Sequence, residues 1–187
     1  MSPHVAVVGV WGAWVLSWLI AASWSRPTEA RPAFGSELPY RALTSIGVLL
    51  VFYPGRYGWE APRLWAAPAP VQWALVAVAV AGFGFCWWAR IHLGSLWSGS
   101  VTRKEGHRIV DTGPYRLVRH PIYTGIIVAA AATAAMTASI FSLLGVALVI
   151  FGSWLKARLE ESFLRAELGP EAYDAYARRT GMLLPFV

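Results

Sequence analysis

Residues 122–155 read IYTGIIVAAAATAAMTASIFSLLGVALVIFGSWL, 34 positions without one charged side chain. As a single helix this run would be about 51 Å long at 1.5 Å per residue. A bilayer's hydrocarbon core is only ~30 Å thick. The stretch is therefore expected to fold as a helical hairpin turning near Met136-Thr137-Ala138-Ser139. Each arm is then about 16 residues, roughly 24 Å. The small residues Ala129 to Ala132, Ala134 and Ala135 suit close packing of the two arms. His120-Pro121 opens the first arm, and proline is tolerated in a first helical turn.

Working outward, three further apolar runs lie upstream. Val5–Trp24 has the length of a span. Ala42–Tyr53 is short, but extends back through Leu38-Pro39-Tyr40 and is ended by Pro54-Gly55. Val71–Ala89 is closed by Arg90. With the hairpin these make an all-α, polytopic membrane fold of about five transmembrane helices. Composition agrees: the chain is 57% hydrophobic and 14% charged, against roughly 25% charged in soluble domains. Its 11 tryptophans suit interfacial belts, and Trp59 and Trp65 stand beside Arg56, Glu60 and Arg63 in such a loop. No Lys or Arg precedes Val5, so the first run reads as a retained helix rather than a signal peptide. A single cysteine, Cys86, excludes an internal disulfide framework and a multi-cysteine metal site.

Charge sets the expected topology. The segment Arg90–Arg119 carries six basic residues and two acidic ones, and with the tail from Lys156 onward it holds eleven basic residues. The positive-inside rule places that loop and the C-terminus in the cytoplasm and the N-terminus outside. A net charge of +6 then fits anionic headgroups of membrane lipids better than nucleic acid. In the tail, Gly169-Pro170 interrupts a charged helix, and Glu171–Arg179 reads as a short amphipathic one.

A hairpin brings its two outer ends together. Arg119, His120 and Tyr123 at the entrance are thereby expected to meet Lys156, Arg158, Glu160 and Glu161 at the exit. The plainer alternative is that Arg119 and Lys156 only snorkel, and that the glutamates clamp Arg119. Gly106 and Gly113-Pro114 bracket a tight loop whose backbone amides suit an adenine edge or a carboxylate. The amino end of the helix after His120 favours an anion. Four histidines, at 4, 92, 107 and 120, show no metal spacing, and no metal is expected. His92 reads as interfacial.

The run GHRIVDTGPYRLVRHPIYTG, residues 106–125, resembles the signature of the isoprenylcysteine carboxyl methyltransferases and their phospholipid methyltransferase relatives. The tail is similar too, with Glu160-Glu161, Leu164, Gly169, Tyr173, Tyr176 and Leu184-Pro185-Phe186-Val187, as are Ala89-Arg90, Leu93-Gly94 and Trp97-Ser98. The resemblance divides the chain into 1–88, three N-terminal spans, and 89–187, the signature region. It implies S-adenosylmethionine as cofactor and a lipophilic, membrane-embedded acceptor, a prenylcysteine-like carboxylate or another lipid group. The cofactor contacts it implies are His107, Arg108, Ile109, Val110, Tyr115, His120, Pro121, Ile122, Tyr123 and Glu160. Arg119 joins them as a partner for the cofactor's carboxylate, beside His120 and the helix amides. The substrate-side basic residue it implies is Lys156, with Arg158 as competitor. For a neutral acceptor Glu161 is the candidate base. The expected location is a bacterial inner membrane. Two other readings stay open: an NADPH-dependent reductase of the sterol-reductase type, with Arg103 and Lys104 taking the 2′-phosphate, and a non-enzymatic membrane scaffold or transporter subunit.

Overall fold

A computed structural model describes residues 1–53, 63–106 and 108–185. Pro54-Gly55 and Arg56, Trp59 and Glu60 of the second loop, His107, and the terminal Phe186-Val187 lie outside the described residues. The helices are α1 (Pro3–Ala21), α2 (Leu38–Val51), α3 (Ala69–Leu93), α4 (Pro121–Thr137), α5 (Ile140–Leu168) and α6 (Pro170–Ala177). Three helical stretches are long and apolar enough to cross a membrane: Pro3–Trp24, Ala69–Leu96 and Ile140–Leu168. The other two of the five expected spans are shorter: α4 has 17 residues and α2 has 14. At 1.5 Å per residue α2 is about 21 Å long, less than the core of a bilayer.

The hairpin turns where its sequence suggests. Ala138 caps α4 in the left-handed region, at φ 55°. Ser139 and Ser142 then form a reciprocal capping box that starts α5. The last carbonyls of α4 need partners, because lipid offers none. The Leu64 amide donates to the Ala138 carbonyl at 2.8 Å, and the Trp65 indole to that of Ala135 at 2.9 Å.

The alanine face works differently from expectation. The two arms touch, yet α4 packs most extensively on α3, and α5 on α2. Glycine explains the pairing. A Cβ on Gly82 would lie 2.7 Å from the Gly125 carbonyl oxygen, and one on Gly47 2.7 Å from that of Gly145. Side chains at these crossings would force the backbones apart, and such small-residue contacts are what lets apolar helices associate in lipid. Ala129 sits beside Gly82, so it serves the α3–α4 crossing.

Tryptophan also departs from the belt picture. Trp11 and Trp14 on α1 pack against Phe83 on α3, with centroids 4.8 and 4.7 Å apart. Trp18 meets Trp87 and Trp97 edge to face. The buried Trp11 indole donates to Thr133 Oγ1 at 3.0 Å, tying α1 to α4. Aromatic area thus fills the seam between α1 and α3, where edge-to-face pairs add to burial.

One contact had no sequence signal. Residues Thr28–Ala30 (β1) pair antiparallel with Arg103–Lys104 (β2), so the first loop and the long loop meet at one end of the bundle.

Candidate functional site

The start of α4 and the charged extension of α5 converge on a cavity at that end. It encloses about 1080 Å³ of space, open mouth included. Its lining includes Arg108, Ile109, Val110, Tyr115, Arg119, His120, Pro121, Ile122, Tyr123, Lys156 and Glu160. These are the sequence-derived candidates apart from three. His107 lies outside the described residues. Arg158 is exposed and does not line the cavity; its guanidinium lies 6.0 Å from the Trp154 ring centroid. Glu161 does not line it either. Helix geometry is the reason. Lys156 and Glu160 are one turn apart on the same face, whereas Arg158 and Glu161 are rotated from them by about 200° and 100° respectively.

At the centre, the Tyr123 hydroxyl donates to Glu160 Oε2 at 2.6 Å. The His120 ring stacks on that of Tyr123, centroids 5.2 Å apart and planes 6° apart. The Lys156 ammonium donates to the Gly99 carbonyl at 2.8 Å and lies 5.2 Å from the Tyr123 centroid and 5.4 Å from that of Tyr40. Glu161 sits behind this row, taking Arg119 Nε at 2.7 Å and His120 Nε2 at 3.1 Å.

Tyr115 and Tyr176 are buried, and the Tyr176 hydroxyl donates to the Tyr115 carbonyl at 2.8 Å. Burial pushes both phenols well above the ordinary tyrosine range. They are therefore neutral donors and not bases. The loop beneath them is pinned by His92, which hydrogen-bonds Thr112 Oγ1 at 2.7 Å. Its ring also covers Gly113, whose φ of 57° and lack of Cβ the contact requires.

Apolar residues line the same cavity: Trp18 from α1, Leu93, Leu96 and Trp97, and Ile126 one turn deeper in α4 than Ile122. Trp97 and Leu93 belong to the sequence pattern, but Trp18 carried no signal. Leu164 and Leu168 continue the stripe of Lys156 and Glu160 at intervals of four residues, so helix periodicity would have found them. Arg103 is engaged by Glu29 at 3.2 Å and Glu167 at 3.3 Å, and does not line the cavity.

Comparison with known proteins gives this geometry its context. The probable protein-S-isoprenylcysteine O-methyltransferase of Oryza sativa subsp. indica is 34% identical over 113 residues, which is 60% of this chain and 53% of the rice protein. The methanethiol S-methyltransferase of Pseudomonas sp. (strain GM41(2012)) is 42% identical over 73 residues, 38% of this chain and 26% of that protein. The nickel-cobalt-cadmium resistance protein NccN of Alcaligenes xylosoxydans xylosoxydans is 29% identical over 147 residues, 78% of this chain and 62% of that protein. The chain thus spans about half the length of the rice relative, and less of the Pseudomonas one. Residues 75–165, which include α4, most of α5 and the polar loop, match a single family. The family that this segment, just under half of the chain, matches is the isoprenylcysteine carboxyl methyltransferase (ICMT) family.

Proposed function

We propose that the chain is an S-adenosylmethionine-dependent methyltransferase acting on a lipophilic acceptor in the membrane. One observation carries the reading: a single cavity is lined both by Glu160, Tyr123 and Lys156 and by Trp18, Leu93, Leu96 and Ile126. A zwitterionic cofactor and a greasy acceptor need such a mixed lining.

The donor set fits the cofactor. Glu160 is a charge-assisted acceptor for an α-ammonium. Arg108 and the amides of Ile122 and Tyr123 in the first turn of α4 are donors for a carboxylate. Tyr123 and His120 offer aromatic faces to a cation. When bound, S-adenosylmethionine supplies an electrophilic methyl group. The chain's own part is to align the acceptor and keep water out. Lys156, held over two phenol rings, is placed to orient an anionic acceptor, which needs no general base. The acceptor would enter from the bilayer, and the cofactor from the cytoplasm, with the N-terminus outside. Lys156 lacks the planar fork of an arginine, so it would hold an acceptor carboxylate as a point charge.

The engagement of Arg103 by two glutamates argues against a 2′-phosphate site there. Calorimetry in detergent decides between the enzymatic readings: S-adenosylhomocysteine should bind with a micromolar-scale Kd. Binding of NADPH in its place would reverse the assignment, and binding of neither would favour a scaffold. Transfer of a labelled methyl group into a lipid extract then identifies the acceptor.

A further inference from the structure

Glu160 and Glu161 are neighbours in sequence, but one helical step turns them by about 100°, and only Glu160 faces the cavity. Glu161 is mostly buried, at 14% side-chain exposure, and its oxygens are taken. Oε1 accepts from Arg119 Nε at 2.7 Å and His120 Nε2 at 3.1 Å, and Oε2 from Arg119 Nη2 at 3.4 Å. A carboxylate with three donors and no opening to the cavity is poorly placed to remove a substrate proton.

Its two partners lead elsewhere. A carboxylate only accepts, so His120 must carry its hydrogen on Nε2. That leaves Nδ1 on the side of Glu160, 3.9 Å from Oε2. Arg119 turns its Nη1 to the carbonyls of Ala177, at 3.0 Å, and Thr180. Around it the backbone amides of Arg119 and His120 donate to Gly181 and Met182 at 2.8 and 3.1 Å, and Thr124 Oγ1 to Leu183 at 2.8 Å. The strand-like tail so held follows α6, whose Tyr173 and Tyr176 line the cavity.

We propose that Glu161 is a positioning residue of this site: it fixes the His120 tautomer that faces Glu160, and through Arg119 it anchors the C-terminal tail that follows the cavity-lining tyrosines of α6. The inference rests on the methyltransferase reading for its meaning, but its geometry can be tested without it.

The test uses the full chain in lipid nanodiscs, with S-adenosylhomocysteine as probe and Glu161→Ala and Glu161→Gln as variants. Loss of the three hydrogen bonds that Glu161 accepts should raise the Kd by about tenfold or more in the alanine variant. At saturating cofactor, kcat should fall by less than about threefold, whereas loss of a general base costs roughly 10²–10⁴. Deuterium exchange at 173–183 should rise, and the nitrogen resonances of labelled His120 should shift from the Nε2-protonated form towards a mixture. Glu161→Gln keeps one carbonyl acceptor and should fall between wild type and Glu161→Ala; if the alanine variant does not fold, the glutamine variant decides on the same readouts. A large fall in kcat with unchanged Kd and unchanged tail exchange would make Glu161 a base and overturn the proposal, as would no change in any readout. Failure of the wild type to bind the probe would sink the methyltransferase reading, while exchange and resonance data would still judge Glu161.

Discussion

Arg119 and Arg90 both stand near the cavity, and they are solvated in opposite ways. Arg119, with 11% of its side chain exposed, has a carboxylate partner and two carbonyls, and it lines the cavity. Arg90 has no exposure. Among the described residues no acid pairs with it. Its guanidinium donates to the Ala21 carbonyl at 2.6 Å and to that of Gly94, and lies 5.4 and 4.5 Å from the ring centroids of Trp24 and Trp97. Its Nε has no partner. A buried cation without a counter-ion is expensive, and carbonyl dipoles with indole faces are the compensation available here. The difference separates two jobs. Arg119 joins loop, helix and tail around a polar cavity, whereas Arg90 pins the end of α1 to the end of α3 behind the cavity-lining Trp97.

This contrast can be broken by substitution. Arg90→Leu should give the largest effect, a loss of about 3 kcal/mol, because two carbonyls lose their donor and the indoles their anchor. Thermal unfolding in detergent measures it, and an unchanged midpoint would remove Arg90 as a pin. Arg119→Lys keeps the charge but loses the fork that reaches Glu161 and the tail together. It should cost about 2 kcal/mol, read mainly as weaker S-adenosylhomocysteine binding; equal thermal loss in both variants with intact binding would erase the distinction. Glu160→Gln should weaken that binding by about tenfold, the worth of a charge-assisted bond, and unchanged affinity would exclude Glu160 from the site. Lys156→Ala should lower turnover by about tenfold with little change in cofactor affinity, while Arg158→Ala should stay within about 0.5 kcal/mol of wild type in stability. A reversed pair would return Arg158 to the role its sequence position suggested.

Much of this site was legible before folding. A run of 34 uncharged residues cannot cross a bilayer once as a straight helix, so a hairpin followed, and with it the meeting of His120 and Tyr123 with Lys156 and Glu160. The departures from expectation have physical causes. Arg158 and Glu161 were grouped with their neighbours by position in the chain, although a helix rotates adjacent side chains by about 100°. Trp11, Trp14 and Trp18 were counted towards the interface, where composition puts tryptophan on average, but an aromatic seam between α1 and α3 claims them. The alanines of α4 mark a close approach, and nothing in their spacing says to which helix.

Hydropathy, charge bias and the loop signature are local properties, and they suffice for helical class, hairpin and many of the residues that line the cavity. Partners distant in sequence are another matter. That Gly82 meets Gly125, that Trp18 walls the cavity, and that Arg119 seats residues 177–180 depend on backbones approaching where no Cβ intervenes and on buried donors finding the nearest free carbonyl. Such pairings are decided by the simultaneous packing of all the helices, and no single stretch of the chain contains them.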